Sequence, residues 1–533
     1  MKFSYRLLLS TLLICPSILQ AQLSYGGIPL SFTKSTLDNP PMLDLGSLNL
    51  KALEKEDAVR SSKHDLVRIG IKRDVEITTS THGKWIKVND GYLWRLIIHS
   101  AEAKSIGLSY SKFSLNKGSS LFIYSDNKEQ IIGSFDHRSN PKRQEFATEK
   151  INSDKIVLEF FSHDNSIEEF RIAGVTHFYK SPKGIGHLTK GFGTSQNCEV
   201  NINCSEGNNW QDQKRGVAGI VLVIGNGSYV CSGSLINNVN QDQKAFFLSA
   251  YHCGQGASAA DYNQWTFYFN YEASGCNNPN SEPSSNTIVG CTMRSNSNDN
   301  GGDDGSDFLL LELNNQVPLS YNPYYNGWDR RNITSLTGVS IHHPDGDIKK
   351  ISTYSTGLVS TQWGNSVQNT HWEVTWVSTQ NGHGVTEGGS SGSPIFNSAG
   401  LIIGDLTGGS SFCSTPNDPD QYGKFSYSWA SNGNSSATRL SDWLDPQNSG
   451  VTILQGFDPN QTSLEDCTYT TGNIGGNVSD QNYITKQAIE SNAAIVSGTV
   501  RFKSKSMIEL KNLFQVNQGS EFIAEIGDCT ETN

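Results

Sequence analysis

The chain has 533 residues, of which 17% are charged, and a formal net charge of −11. At roughly 100–200 residues per domain, that length excludes a single compact core and leads us to expect two to four domains. The acidic balance argues against nucleic acid as a partner, and the abundance of Gly, Ser, Asn and Thr favours many short strands and turns over long helices.

The first element in chain order is an export signal. Lys2 and Arg6 give a positive start, 7–19 is mostly apolar, and Leu19-Gln20-Ala21 ends in a small residue before Gln22. Residues 1–21 therefore read as a signal peptide, and the protein is expected to be secreted. The apolar run falls short of the about 20 residues a membrane span needs, and no later stretch qualifies. Cys15 follows the bulky Ile14, which does not suit lipoprotein processing.

Residues 22–190 form a first region without cysteine. Alternation in Leu93-Trp94-Arg95-Leu96-Ile97-Ile98 and in Ser120-Leu121-Phe122-Ile123-Tyr124 predicts a β-sandwich-like module. The stretch 180–192, rich in Lys and Gly, predicts an exposed linker. In the second region, 191–455, strands are expected over 216–224, 245–250, 308–313, 372–377 and 401–406. One helix is expected near its end, starting at Ser436 or Thr438 and closing before Pro446. The third region, 460–533, alternates again at Ala494-Ile495-Val496, Val500-Arg501-Phe502 and Phe522-Ile523-Ala524-Glu525-Ile526, which predicts a small β module. A Cys467–Cys529 bridge is expected to close it. Without Cys15, nine of the ten cysteines remain, an odd number, so at least one thiol is free or intermolecular.

Three segments of the second region carry chemistry. In Glu387-Gly388-Gly389-Ser390-Ser391-Gly392-Ser393-Pro394, glycines on both sides of Ser391 permit the tight turn that projects a nucleophilic oxygen. The N–H groups of Gly389 and Ser391 would form the oxyanion hole. In Phe246-Phe247-Leu248-Ser249-Ala250-Tyr251-His252-Cys253-Gly254, an apolar strand ends at a histidine beside a cysteine that can pin it. In Ser306-Asp307-Phe308-Leu309-Leu310-Leu311-Glu312-Leu313, a carboxylate heads an apolar strand, where it could fix the imidazole tautomer. Asp303 and Asp304 compete for that role but read as a solvated loop, and the spacing in 299–307 does not fit a standard calcium loop. The order His252, Asp307, Ser391 is that of chymotrypsin-like enzymes, not of subtilisins or α/β-hydrolases. His342 and His343 read as structural, because no second ligand motif lies near them. Trp372 and Trp376 read as core.

Residues 191–455 resemble the bacterial lysyl endopeptidases of the Achromobacter and Lysobacter type. The resemblance rests on the three segments above and on Gly327-Trp328-Asp329-Arg330-Arg331, Ile341-His342-His343-Pro344, Gly384-Val385-Thr386-Glu387, Asp420-Gln421-Tyr422-Gly423 and Arg439-Leu440-Ser441-Asp442-Trp443-Leu444-Asp445-Pro446. It covers about half the chain. It implies a mainly β, trypsin-like double β-barrel with the triad His252, Asp307 and Ser391, flanked here by a β-rich pro-region and the C-terminal module. It further implies the bridges Cys198–Cys413, Cys204–Cys276 and Cys231–Cys253, and leaves Cys291 without a counterpart. Asp420 would select the basic substrate side chain, and Asp418 is the residue to confuse with it. Trp363, Thr407 and Gly408 would line the substrate pocket. In a well-known member a histidine stacks on that tryptophan, and this chain has Thr407 in its place.

The expected function is hydrolysis of peptide bonds after lysine, through an acyl-enzyme, on protein or peptide substrates. No cofactor, metal, nucleic acid or membrane span is required, and a monomer is expected. The alternatives are an inactive secreted binding protein and an active protease with a different primary preference, such as arginine. The lysine in His187-Leu188-Thr189-Lys190-Gly191 lies eight residues before Cys198 and predicts self-processing between Lys190 and Gly191, with Lys183 as second choice. Ser390 precedes the nucleophile where trypsin zymogens carry an aspartate, so activation is not expected to use an ion pair with a new N-terminus; the pro-region is expected to block the cleft or assist folding instead, and the alternative is a permanent N-terminal binding domain.

Overall fold

The computed structural model describes residues 25–34, 37–59, 64–140, 145–180, 193–364, 367–460, 471–485, 488–505, 507–512 and 514–526. The signal peptide, Lys183, Lys190, Gly191, Cys467 and Cys529 lie outside the described residues.

The first region is a two-sheet sandwich. One sheet runs in the order Met42–Asp44, Gly91–His99, Lys155–Ser162, Ser120–Ser125, Ile131–Phe135, with Lys84–Val88 also on Gly91–His99. The other holds Val67–Thr78, Phe170–Phe178, Ser105–Phe113 and Phe146–Ile151. The alternation read in the sequence sets the face: Trp94, Leu96 and Ile98 point into a core shared with Ile106, Phe113, Phe160 and Phe170. Burying each such side chain contributes about 1.5–3 kcal/mol.

The second region forms two barrels. The first runs Asn286–Val289, Thr266–Phe269, Val217–Ile224, Gly227–Leu235, Phe246–Ala250, Phe308–Leu313, Cys291–Asn296. The second runs Val200–Asn201, Lys350–Tyr354, Gly338–His342, Pro394–Asn397, Ile402–Gly409, Asp420–Lys424, His371–Val374, Val359–Thr361. Each has an apolar core of its own, and a third lies between them, where Phe246, Leu248, Phe308 and Leu310 of the first barrel pack with Ile341, Phe396 and Ile402 of the second. The expected strands are present, with ends shifted by local chemistry. Val374, not residue 377, ends its strand, while Ile402–Gly409 runs three residues past 406. The expected single helix is instead a 3-10 turn, Ser436–Thr438, and a short helix, Ser441–Leu444. Pro446 disfavours helical backbone at Asp445, which leaves no length for a longer element. Pairing of Trp328–Asp329 with Ile453–Leu454 carries the second barrel to the end of this region.

The two regions share a sheet. Val67–Thr78 pairs antiparallel with Gly227–Leu235, in the register Val67↔Val230, Arg68↔Tyr229, Ser228↔Gly70 and Gly227↔Ile71. The C-terminal module is β, as read, but its strands pair in parallel. Thr471–Ile474, Ala488–Ser491 and Met507–Leu510 stack in one sheet, and Asn477–Thr485, Ala494–Ser504 and Glu521–Ile526 in another. The chain alternates between the two sheets, and Ile489, Ile495, Val500 and Phe502 are buried between them.

Among the described residues three disulfides are present, Cys198–Cys413, Cys204–Cys276 and Cys231–Cys253, the pairs the resemblance implies. Cys291 is a buried free thiol. Among the described residues no helix is long and apolar enough to cross a membrane.

Candidate active site

Strand register brings His252 to Asp307. Phe246–Ala250 and Phe308–Leu313 are antiparallel with Ala250 opposite Phe308, so the residues that follow the first and precede the second meet at one sheet end. Tyr251 N–H donates to the Asp307 carbonyl at 2.6 Å, and His252 N–H donates to Asp307 Oδ1 at 2.9 Å. His252 Nδ1 lies 2.6 Å from Asp307 Oδ2, with both side chains buried. Burial alone raises the Asp307 carboxyl, but the His252 imidazole and its hydrogen bond hold it below the usual carboxylate range.

Asp307 has φ +57°, a left-handed conformation that is uncommon for a residue with a side chain. Asp299 holds it there. Its Oδ2 accepts the Asp307 N–H at 2.8 Å, and its Oδ1 accepts the Gly302 N–H at 3.1 Å and the Ser297 hydroxyl at 2.6 Å. Burial and the neighbouring Asp307 charge push the Asp299 carboxyl up. Asp303 and Asp304 are exposed, as the sequence implied. We expect Asp299→Ala to leave the Asp307 N–H unpaired, a loss of about 1–3 kcal/mol, and to lower kcat about tenfold or more with KM little changed. Steady-state kinetics on a peptide substrate check this, and an unchanged kcat would show that Asp307 needs no such anchor.

The serine loop sits against the first barrel. The Ser391 carbonyl accepts the Ser232 N–H at 2.8 Å, and the Gly389 carbonyl accepts the Ser232 hydroxyl at 2.9 Å. Cys253 Sγ lies 3.8 Å from the Ser391 carbonyl oxygen and 4.0 Å from His252 Nε2, so the Cys231–Cys253 bridge lies between the histidine turn and the serine loop. Gly389 has φ +92° and Gly392 φ +79°. A Cβ on Gly392 would lie 2.2 Å from Ser249 Oγ, so the turn requires glycine there. Ser390 Oγ is 2.8 Å from His342 Nδ1, and His342 Nε2 is 3.0 Å from Ser352 Oγ, which donates to the Val385 carbonyl at 2.7 Å. His342 is thus a buried brace of the loop. His343, also buried, is held neutral by that burial at about 3.

Asp420 is fully buried in a cradle of donors. Its Oδ2 accepts Trp376 Nε1–H at 2.7 Å, Thr386 Oγ1–H at 2.7 Å and Ser411 Oγ–H at 2.6 Å, and its Oδ1 accepts the Ser411 N–H at 3.2 Å. Asp418 is exposed. Trp376 is buried, as read, but it also orients this carboxylate.

Residues 192–423 match the family described as the lysyl endopeptidase C-terminal domain. This segment is a lysyl endopeptidase-type protease domain. A lysyl endopeptidase of Pseudomonas aeruginosa is 31% identical over 236 residues, covering 42% of this chain and 48% of that protein. The chain thus spans about half the length of the curated relative it matches. Among solved structures, a thermostable serine protease from an extremophilic microorganism is 16% identical over 42% of this chain and 100% of its own, with a TM-score of 0.31. Protease Anisep from Arthrobacter nicotinovorans is 18% identical over 39% of this chain and 90% of its own, with a TM-score of 0.29.

The lysyl endopeptidase-type segment contains the candidate triad, oxyanion and pocket residues, from His252 to Asp420. Its departure at Thr407 has a local consequence. Thr407 Oγ1 lies 3.0 Å from His371 Nε2, whose Nδ1 is 2.8 Å from Thr370 Oγ1. Burial lowers the His371 imidazole to about 4. Trp363 lies over Gly408, where a Cβ would come within 2.7 Å of the indole. The face of Trp363 is taken by a residue from outside the segment. The His64 ring stacks on it at 5.3 Å between centroids and lies 4.2 Å from the His252 ring. His64, His252 and Asp307 are the group of donors that could hold a metal among the described residues. Asp307 and His252 Nδ1 are spent on each other, which leaves too few ligands for the usual four-coordinate zinc shell. Sequence reading missed His64, Asp299, His371 and the Asp420 cradle. A hint for Asp299 was available only in its place eight residues before Asp307 in a Gly/Asp/Asn loop.

Proposed function

We propose that the chain is the precursor of a secreted, monomeric serine endopeptidase that hydrolyses peptide bonds on the carboxyl side of lysine. Ser391 Oγ attacks the scissile carbonyl while His252 Nε2 takes its proton, and Asp307 stabilises the imidazolium that forms. The N–H groups of Gly389 and Ser391 hold the oxyanion. Collapse breaks the C–N bond, His252 gives its proton to the leaving amine, and water then hydrolyses the acyl-enzyme by the reverse roles. The observation that carries this proposal is the buried 2.6 Å contact of His252 with Asp307 at the strand end beside the serine loop. Lysine preference is supported by the buried Asp420 carboxylate within a lysyl endopeptidase-type segment. The test is a digest of mixed proteins with cleavage sites read by mass spectrometry. Cuts after lysine support the proposal, cuts after arginine as often as lysine overturn the specificity, and no cuts by the processed chain overturn the activity.

We further propose that 22–190 is a pro-region that the enzyme removes by cutting between Lys190 and Gly191. The cysteine-free composition of that region and the Lys/Gly linker support this. The Ser390–His342–Ser352 brace already holds the serine loop in the uncut chain, so activation needs no new N-terminal ion pair. N-terminal sequencing should find wild-type protein starting at Gly191 and Ser391→Ala protein retaining the pro-region. Equal cutting of both in a host without lysine-specific proteases would refute self-processing.

A further inference from the structure

The short segment from His64 to Val67 belongs to the N-terminal sandwich but lies across the candidate active site. His64 places its ring between His252 and Trp363, and its Nε2 is 2.7 Å from the Gly301 carbonyl oxygen. Its Cβ faces Gly408. Leu66 packs against the core of the first barrel, the core that includes Cys231 and Cys253. Val67 pairs with Val230, one residue before Cys231, and its side chain faces Gly388 of the serine loop. The segment therefore passes from the Trp363 side of the cleft to the Val230 side, over the histidine and beside the loop that carries Ser391.

We infer that His64–Val67 is a plug for this cleft and that the N-terminal sandwich is the partner this surface is built to hold. This rests on the triad proposed above. An imidazole 4.2 Å from the His252 ring fills the contact distance over that face and leaves no room there for a substrate side chain. Pairing of Val67 with Val230 occupies strand-edge groups that a bound peptide would use on the other side of Ser391. The plug is not itself a substrate. His64, Asp65, Leu66 and Val67 include no lysine or arginine, Asp65 is exposed in a bend, and Arg68 is tied back to Asp57 at 2.9 Å, Glu56 at 2.9 Å and Tyr179 at 2.9 Å. Further contacts of the sandwich with the first barrel, Asn152 with Glu282 at 3.3 Å and Thr287 with Glu149 at 3.2 Å, keep the plug seated. While the linker is intact the plug acts at a high effective concentration, and cutting the linker lets it depart.

The experiment measures the rate at which a fluorophosphonate labels Ser391, which does not depend on substrate preference. The full chain carries Lys183→Gln and Lys190→Gln to keep the linker uncut, as checked by mass. We expect the uncut chain to label at least about tenfold more slowly than the processed wild-type enzyme, as for a cleft open less than about a tenth of the time. Adding His64→Gly should restore the processed rate, while His64→Phe, which keeps a flat ring on Trp363, should stay slow. Processed His64→Gly enzyme, cut from a chain with Lys183 and Lys190 intact, should label at the wild-type rate, which shows that the protease domain folds. If uncut wild-type and His64→Gly chains label alike, fast or slow, the plug is overturned and the triad stands. If the processed enzyme does not label either, plug and triad fall together.

Discussion

Ser391→Ala is expected to leave a folded chain whose kcat on a lysyl peptide is lower by a factor on the order of 10⁵ or more. The substitution removes the proposed nucleophile and little else. The serine loop is tied to the first barrel through the Ser391 carbonyl and the Gly389 carbonyl, both accepting from Ser232, and these bonds do not involve Oγ. The His252–Asp307 contact also survives. The thermal midpoint should therefore stay close to that of the parent, and what remains of the rate comes from substrate positioning and the oxyanion donors. Steady-state kinetics beside a melting curve check both halves. Hydrolysis at the parent rate in a folded variant would show that another group attacks the substrate.

Asp420→Asn should cost several kcal/mol of transition-state binding for lysine substrates, a fall in kcat/KM on the order of 10²–10⁴. Two effects add. The variant removes the charge that a substrate ammonium would meet in a desolvated pocket. It also places an amide NH₂ among the Trp376, Thr386 and Ser411 donors, which need an acceptor. Substrates with a norleucine in place of lysine feel only the second effect, so the ratio of lysine to norleucine cleavage separates the two. An unchanged ratio would remove Asp420 from the account of specificity.

Much of the site was legible because its parts are local. Ala250-Tyr251-His252 and Ser306-Asp307-Phe308 each join a strand end to one chemical group, and the apolar runs beside them fix which end that is. The glycines around Ser391 announce a turn with positive φ. What escaped depends on distant register. Nothing near His64 marks it, because its position follows from the pairing of Val67 with Val230, more than a hundred residues away in sequence. Trp376, Thr386 and Ser411 look like ordinary residues of a β protein until the fold brings them to one carboxylate. The C-terminal alternation gave strands but not their direction, because a period of two is the same for parallel and antiparallel neighbours.

The buried thiol of Cys291 bears on the path by which the fold is reached. It lies on the strand Cys291–Asn296 and is 1% exposed, and burial pushes its thiol well above the usual range. In the finished protein it is a closed door to oxidants, since the thiolate that would react is suppressed. In the nascent chain it is a seventh sulfur among the six that must pair within the second region. Cys231 and Cys253 lie on or beside strands of the same barrel, so an early mispairing with Cys291 would trap that barrel unformed. Packing of the first barrel around Cys291 takes that thiol out of exchange, so the same burial that silences it in the finished protein also favours the pairing of Cys231 with Cys253.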